Sequence, residues 1–187
     1  MNQRFDLIDT ILTGLKLLQR KPIGDNRGYL DRMFCTEELE PLLAGQSIVQ
    51  VNHTLTAACG TVRGLHFQYP PHAETKFVSC LRGEVFDVAV DLRRDSPTFL
   101  RWHGEILSAD NHRTLMIPKG YAHGFQTLSD NCEMLYFHTA AYHAESEGGL
   151  HPLDARLDIA WPLTVKALSL RDSSHPLINN DFLGVSP

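Results

Sequence analysis

Between residues 48 and 139 the chain breaks into short apolar runs separated by turn-forming residues. The runs are Ile48–His53, Cys59–Phe67, Thr75–Leu81, Glu84–Leu92, Thr98–Leu107, Arg113–Pro118, His123–Leu128 and Cys132–Thr139. Each is strand-length and rich in β-branched or aromatic side chains, and no long helical period separates them. This spacing predicts a mainly β sandwich or jelly roll and argues against βαβ units. Arg82 and Gly83 are expected to form a hairpin turn. In Val85–Leu92 one face carries Phe86, Val88, Val90 and Leu92, the other Val85, Asp87, Ala89 and Asp91. The simplest expectation leaves both aspartates in solvent; the alternative turns that face into a jelly-roll cavity.

The flanks are less regular. Residues 5–20 fit either a strand or a short helix. Thr36–Ala44 reads as a short helix with Thr36 as its N-cap and Pro41 limiting its length. After Trp161 and Pro162 the composition turns to Pro, Ser, Asp and Asn, expected of an irregular segment wrapped over the β core. The organisation expected is one domain over 1–187: an N-terminal arm with a short helix (1–47), a jelly-roll core (48–140) and a C-terminal wrap (141–187).

At 187 residues one domain can bury its apolar surface without cross-links. A net charge of −5 argues against a nucleic-acid-binding face. Arginines outnumber lysines twelve to five, which fits either anion recognition or ordinary surface composition. Cys35, Cys59, Cys80 and Cys132 are widely spaced, as expected of reduced thiols in a cytoplasmic protein. No signal peptide and no membrane-length apolar run is visible.

Two segments concentrate the chemistry: Arg63 to Gln68, reading RGLHFQ, and Pro118 to His123, reading PKGYAH. Jelly-roll metal sites usually pair two neighbouring histidines, but here His66 is followed two residues on by Gln68. His123 supplies only a distant ligand, so no metal is expected. Nucleophile-elbow, dinucleotide and phosphate-loop motifs are absent. Acid–base chemistry remains. His66 is the best base, Arg63 and Lys76 are fixed cations for a phosphate and an oxyanion, and Tyr136 is a candidate donor. On spacing alone each has a structural alternative. Strict alternation also puts Arg63 and His66 on opposite faces, unless Gly64 marks a bulge.

A wider set of motifs then falls into order: DNRGYL (25–30), VNHT (51–54), TVRGLHFQYPP (61–71), KFVSCLRGEVFDVAVDLRRDSPTF (76–99), LSADNHRTLMIPKGYAHGF (107–125), LY (135–136), WP (161–162) and LSLRD (168–172). From about residue 12 to 178 the chain resembles the dTDP-4-dehydrorhamnose 3,5-epimerase family of cupin-fold nucleotide-sugar epimerases. The resemblance implies a double-stranded β-helix with short peripheral helices and no cofactor. It implies inversion of carbon 3, carbon 5 or both of a 4-keto-6-deoxyhexose linked to a nucleotide, in deoxysugar or surface-polysaccharide biosynthesis.

Position by position, it implies His66 as base, Asp172 as the carboxylate that orients it, Lys76 beside the keto oxygen and Tyr136 as the proton donor on the opposite face. Arg63 would bind the diphosphate, and Gln50, Asn52, His123 and Tyr142 would line the pocket. Arg27 and Tyr29 would reach the nucleotide of a partner subunit, implying a homodimer. Without the resemblance, LSLRD would pass as ordinary tail. Phe137, Met116 and His151 depart from the family pattern, where lysine, tryptophan and tryptophan are usual. They leave the nucleotide base, the sugar and the number of inverted centres open. The rival readings are a metal-dependent cupin enzyme and a catalytically silent sugar-nucleotide-binding cupin.

Overall fold

A computed structural model describes residues 3–186. The ambiguous N-terminal stretch forms strands β1 (Phe5–Asp9) and β2 (Lys16–Arg20), followed by the small hairpin β3 (Ile23–Asp25) and β4 (Gly28–Leu30). Helix α1 spans Thr36–Leu43. The core strands are β5 (Gln50–Thr56), β6 (Val62–Gln68), β7 (Lys76–Arg82), β8 (Glu84–Asp91), β9 (Trp102–Ser108), β10 (Arg113–Ile117), β11 (Tyr121–Thr127) and β12 (Cys132–His138). A short β13 (Glu147–Gly149) and helix α2 (Leu170–Ser174) lie in the C-terminal segment. All eight expected core strands are present, most with ends shifted by a residue or two. The largest shift is in β9, which starts at Trp102 because Ser96 to Arg101 closes turns around Leu100 at φ 61°.

Two antiparallel sheets face one another, as in a cupin-type jelly roll. One has the order β1-β2-β10-β7-β12-β5, the other β13-β6-β11-β8-β9. Between them pack Leu17, Val78, Val85, Ala89, Leu115, Ile117, Phe125 and Met134. The outer face of the six-stranded sheet buries Leu18, Phe77 and Met116 under Leu39 and Leu43 of α1. The outer face of the five-stranded sheet buries Leu65, Val88, Val90 and Ala122 under Leu150, Leu157, Ile178 and Val185 of the C-terminal segment. That segment is therefore a structural layer, irregular apart from β13, α2 and a single-turn 3-10 helix at Ala144–Ser146. No helix among the described residues is long and apolar enough to cross a membrane.

Three local expectations need correction. Arg82 and Gly83 do not close a hairpin, because β7 and β8 belong to different sheets. Gly83 sits at φ 76°, where a Cβ would come within 2.5 Å of Ser129 Oγ, and it carries the chain from one sheet to the other. Thr36 is the first helical residue, and Cys35 takes the cap position without a side-chain bond. Pro41 lies inside α1, which ends at Ala44 in the left-handed conformation.

Nor do Asp87 and Asp91 face solvent; both are wholly buried. The inward face of β8 instead places Asp91 in a closed network. It accepts bonds from Arg93 (2.7 Å), Ser96 and Thr98 (2.6 Å). Burial alone would raise the Asp91 pKa, but these donors outweigh it and hold the carboxyl at about 2.

Candidate active site

A cavity of about 280 Å³ opens between the two sheets. Along its wall β6 and β11 do not run in plain register. His66 pairs with His123 and Arg63 with Phe125, so Gly64 and Leu65 together oppose the single residue Gly124. This bulge resets the alternation and turns both Arg63 and His66 to the cavity. Only glycine fits there: Gly64 has φ 121°, and a Cβ on it would lie 2.5 Å from Gly124 Cα and 2.7 Å from the His123 carbonyl oxygen.

His66 is joined to the C-terminal segment. Its Nε2 donates to Asp172 Oδ1 at 2.7 Å, across 106 residues of chain. Ser169 caps α2 by accepting from the Asp172 amide at 3.0 Å, and the Gly64 amide donates to Asp172 Oδ2 at 3.3 Å. Burial raises the Asp172 pKa, but the His66 hydrogen bond and charge, with these contacts, win and hold it below the usual carboxylate range. The aspartate stays ionised, so it accepts from Nε2 and leaves Nδ1 as the ring nitrogen that it does not engage.

The facing sheet supplies Lys76 and Tyr136. Lys76 is nearly buried; its Nζ is 3.0 Å from Glu74 Oε1 and 3.3 Å from the His66 carbonyl oxygen. Burial pushes the Tyr136 phenol well above its ordinary pKa, so it holds its proton at neutral pH. Its ring lies 6.1 Å from that of His123. His123 Nε2 contacts both oxygens of Asp87, at 2.9 and 3.0 Å. Burial drives the Asp87 carboxyl up, opposed by the charges of His123 and Lys76.

Gln50, Asn52 and Tyr142 also line the cavity; Gln50 Oε1 accepts from the Tyr142 amide at 2.9 Å. Arg27 and Tyr29 are not brought to it within this chain. They sit on the exposed β3–β4 hairpin, where Arg27 pairs with Asp25 and Tyr29 packs against His112.

Several cavity residues went unforeseen. Arg171, beside Asp172, reaches 2.9 Å from His66 Nε2 and 3.1 Å from Glu147. Glu74 lies just ahead of β7 and is buried against Lys76. His138 lines the wall next to Tyr136; burial and the Lys76 charge push its pKa down to about 4 and keep it neutral. Arg171 and Glu147 gave no periodic signal, because the five-residue α2 and the three-residue β13 that carry them are too short to show a period.

The family departures lie elsewhere. Phe137 stacks on Phe34 at 5.4 Å, in the cluster that buries Met116, on the outer face of the six-stranded sheet. His151 accepts from the Leu153 amide at 3.1 Å in the C-terminal segment.

Fold and site together define a cupin-type jelly roll whose cavity holds a histidine–aspartate pair facing a lysine and a phenol. Comparison with known proteins then specifies the kind. Residues 9–180 match the family model described as dTDP-4-dehydrorhamnose 3,5-epimerase, and the chain belongs to that family. It is 41% identical to the dTDP-4-dehydrorhamnose 3,5-epimerase of Salmonella typhimurium over 179 residues, covering 95% of this chain and 97% of that protein. The Bacillus anthracis enzyme, solved with TDP and PPi bound, is 44% identical with a TM-score of 0.89, covering 93% of this chain and 99% of that one. A dTDP-6-deoxy-D-glucose-3,5-epimerase from Legionella pneumophila, solved with dTDP-4-keto-L-rhamnose, is 42% identical with a TM-score of 0.89, covering 98% and 99%.

Proposed function

We propose that this protein inverts carbon 3, carbon 5 or both of a dTDP-linked 4-keto-6-deoxyhexose through an enolate. The observation that carries the reading is the placement of His66, with its aspartate, on one sheet and of Lys76 and Tyr136 on the other, around one cavity. His66, held by Asp172 at 2.7 Å, removes the proton next to the ketone. Lys76 stabilises the charge that moves to the keto oxygen; one well-placed donor of this kind contributes roughly 3 kcal/mol to such a step. Tyr136 delivers a proton from the opposite side, which inverts the carbon. The sequence is redox-neutral and needs no cofactor. Arg63 takes the diphosphate, and Gln50, Asn52, His123 and Tyr142 complete the pocket wall.

The same reading makes the protein a homodimer. Arg27 and Tyr29 are exposed, and they stand beside exposed Ile23 and Leu30 on the β3–β4 hairpin. β5 is a sheet edge carrying exposed Val51 and Leu55. A second copy covering these faces would carry Arg27 and Tyr29 to its partner's nucleotide. Four unpaired cysteines fit a cytoplasmic setting.

The test is incubation with dTDP-4-keto-6-deoxyglucose in deuterium oxide, followed by NMR at carbons 3 and 5. Exchange at both supports a double epimerase, and exchange at one a monoepimerase. Tight binding without exchange would replace this reading with a silent binder. His66→Ala should abolish exchange in a folded protein, and persistent exchange would remove His66 from its role.

A further inference from the structure

The imidazole of His175, which caps the C-terminal end of α2, stands beside the histidine–aspartate pair and plays no part in the chemistry above. Its ring lies edge-on to His66, with centroids 5.7 Å apart. It rests on the bare backbone of Gly149, the residue paired with His66 across β13 and β6. A Cβ at position 149 would come 2.2 Å from the His175 ring, so glycine makes room for it. The His175 Nε2 is buried and has no hydrogen-bond partner among the described residues. One ligand atom from each of His66, Asp172 and His175 falls within 4.8 Å of the other two.

We propose that His66, Asp172 and His175 form an inhibitory site for a divalent transition cation of the zinc type, which occupies the catalytic pair. Two imidazoles and a carboxylate suit zinc, with water as fourth ligand. Bonds of about 2.1 Å place neighbouring tetrahedral ligands roughly 3.4 Å apart; here His66 Nε2 and Asp172 Oδ1 are 2.7 Å apart and the three ligand atoms lie within 4.8 Å of one another, which brackets that spacing. Asp172 supplies the negative charge. The Arg171 guanidinium must leave His66, and it is half-exposed and already paired with Glu147 on its outer side. The ion is no cofactor: it takes the ring nitrogen that Asp172 holds, so the pair no longer serves as a base. The inhibition arm of the test rests on the epimerase reading, whereas the binding arm stands without it.

The experiment titrates the intact protein with Co²⁺, reads its visible d–d bands, and then adds Zn²⁺. One equivalent of cobalt should give bands that zinc abolishes. His175→Ala and the bulkier His175→Gln should lose the bands. Zinc should inhibit turnover of the wild type, and both variants should need roughly a hundredfold more zinc, since even outer-sphere partners of a metal contribute 10–100-fold to affinity. Zinc-free turnover of the variants should match the wild type. Absence of cobalt bands, or equal zinc sensitivity in wild type and variants, would overturn the site. A protein that binds cobalt through His175 but turns over no substrate would leave the site standing and remove the epimerase reading.

Discussion

Replacing Asp172 by asparagine keeps the shape of the side chain and removes its charge. Asp172 contacts His66 at 2.7 Å, and only 4% of its side chain is exposed. Once His66 takes the substrate proton, the ring and the carboxylate form a cation–anion pair with charge centres about 4 Å apart. At an effective dielectric constant of about 20 such a pair is worth about 4 kcal/mol. His66 is partly exposed and the Arg171 guanidinium lies beside it, so the interaction is weaker than that figure. Each 1.36 kcal/mol is tenfold in rate, which leaves an expected loss in kcat of roughly a hundredfold to a thousandfold. Deuterium wash-in followed by NMR measures it directly, with circular dichroism to confirm the fold. A folded Asp172→Asn protein that exchanges within about threefold of wild type would refute the electrostatic argument.

Tyr136→Phe should separate the half-reactions: deuterium still enters at the carbon that His66 strips, but the NMR signals of the inverted sugar do not appear. Gly64→Ala forces a Cβ against Gly124 and His123 at a positive φ. Strain of about 1–3 kcal/mol, with a similar overpacking cost, should lower Tm by roughly 5–15 °C in calorimetry and abolish exchange. The Asp91 pKa is depressed to about 2, so its stabilisation, roughly 2 kcal/mol, is fully present above the ordinary carboxylate range and fades as pH falls towards 2. Urea unfolding of Asp91→Asn against wild type should show that gap at pH 7 and its shrinkage near pH 3; a constant gap would contradict the assignment. Sedimentation should give a dimer, and Arg27→Ala should raise KM more than it lowers kcat.

The strands were legible because alternation with turn residues between is a local signal. Sheet membership was not. Period-two patterning looks the same whichever sheet a strand joins, so the kink at Gly83 passed for a hairpin. Alternation showed that Asp87 and Asp91 share a face, but not that the face is interior, since burial depends on what lies opposite. Gly64 gave the condition under which Arg63 and His66 meet, and the bulge beside Gly124 fulfils it. Asp172 lies beyond any local reasoning. Its partner is 106 residues away, and only the family resemblance pointed to it.

Because Asp172 arrives with the last layer to cover the five-stranded sheet, the order of synthesis has a kinetic consequence. A nascent chain that has emerged only as far as β13 already holds every strand of both sheets, together with Lys76, Tyr136 and the His66 ring. Its base still lacks its counter-charge. On the proposed chemistry, proton abstraction switches on late, when α2 docks, and the onset of exchange activity during translation or refolding would time the closure of the tail.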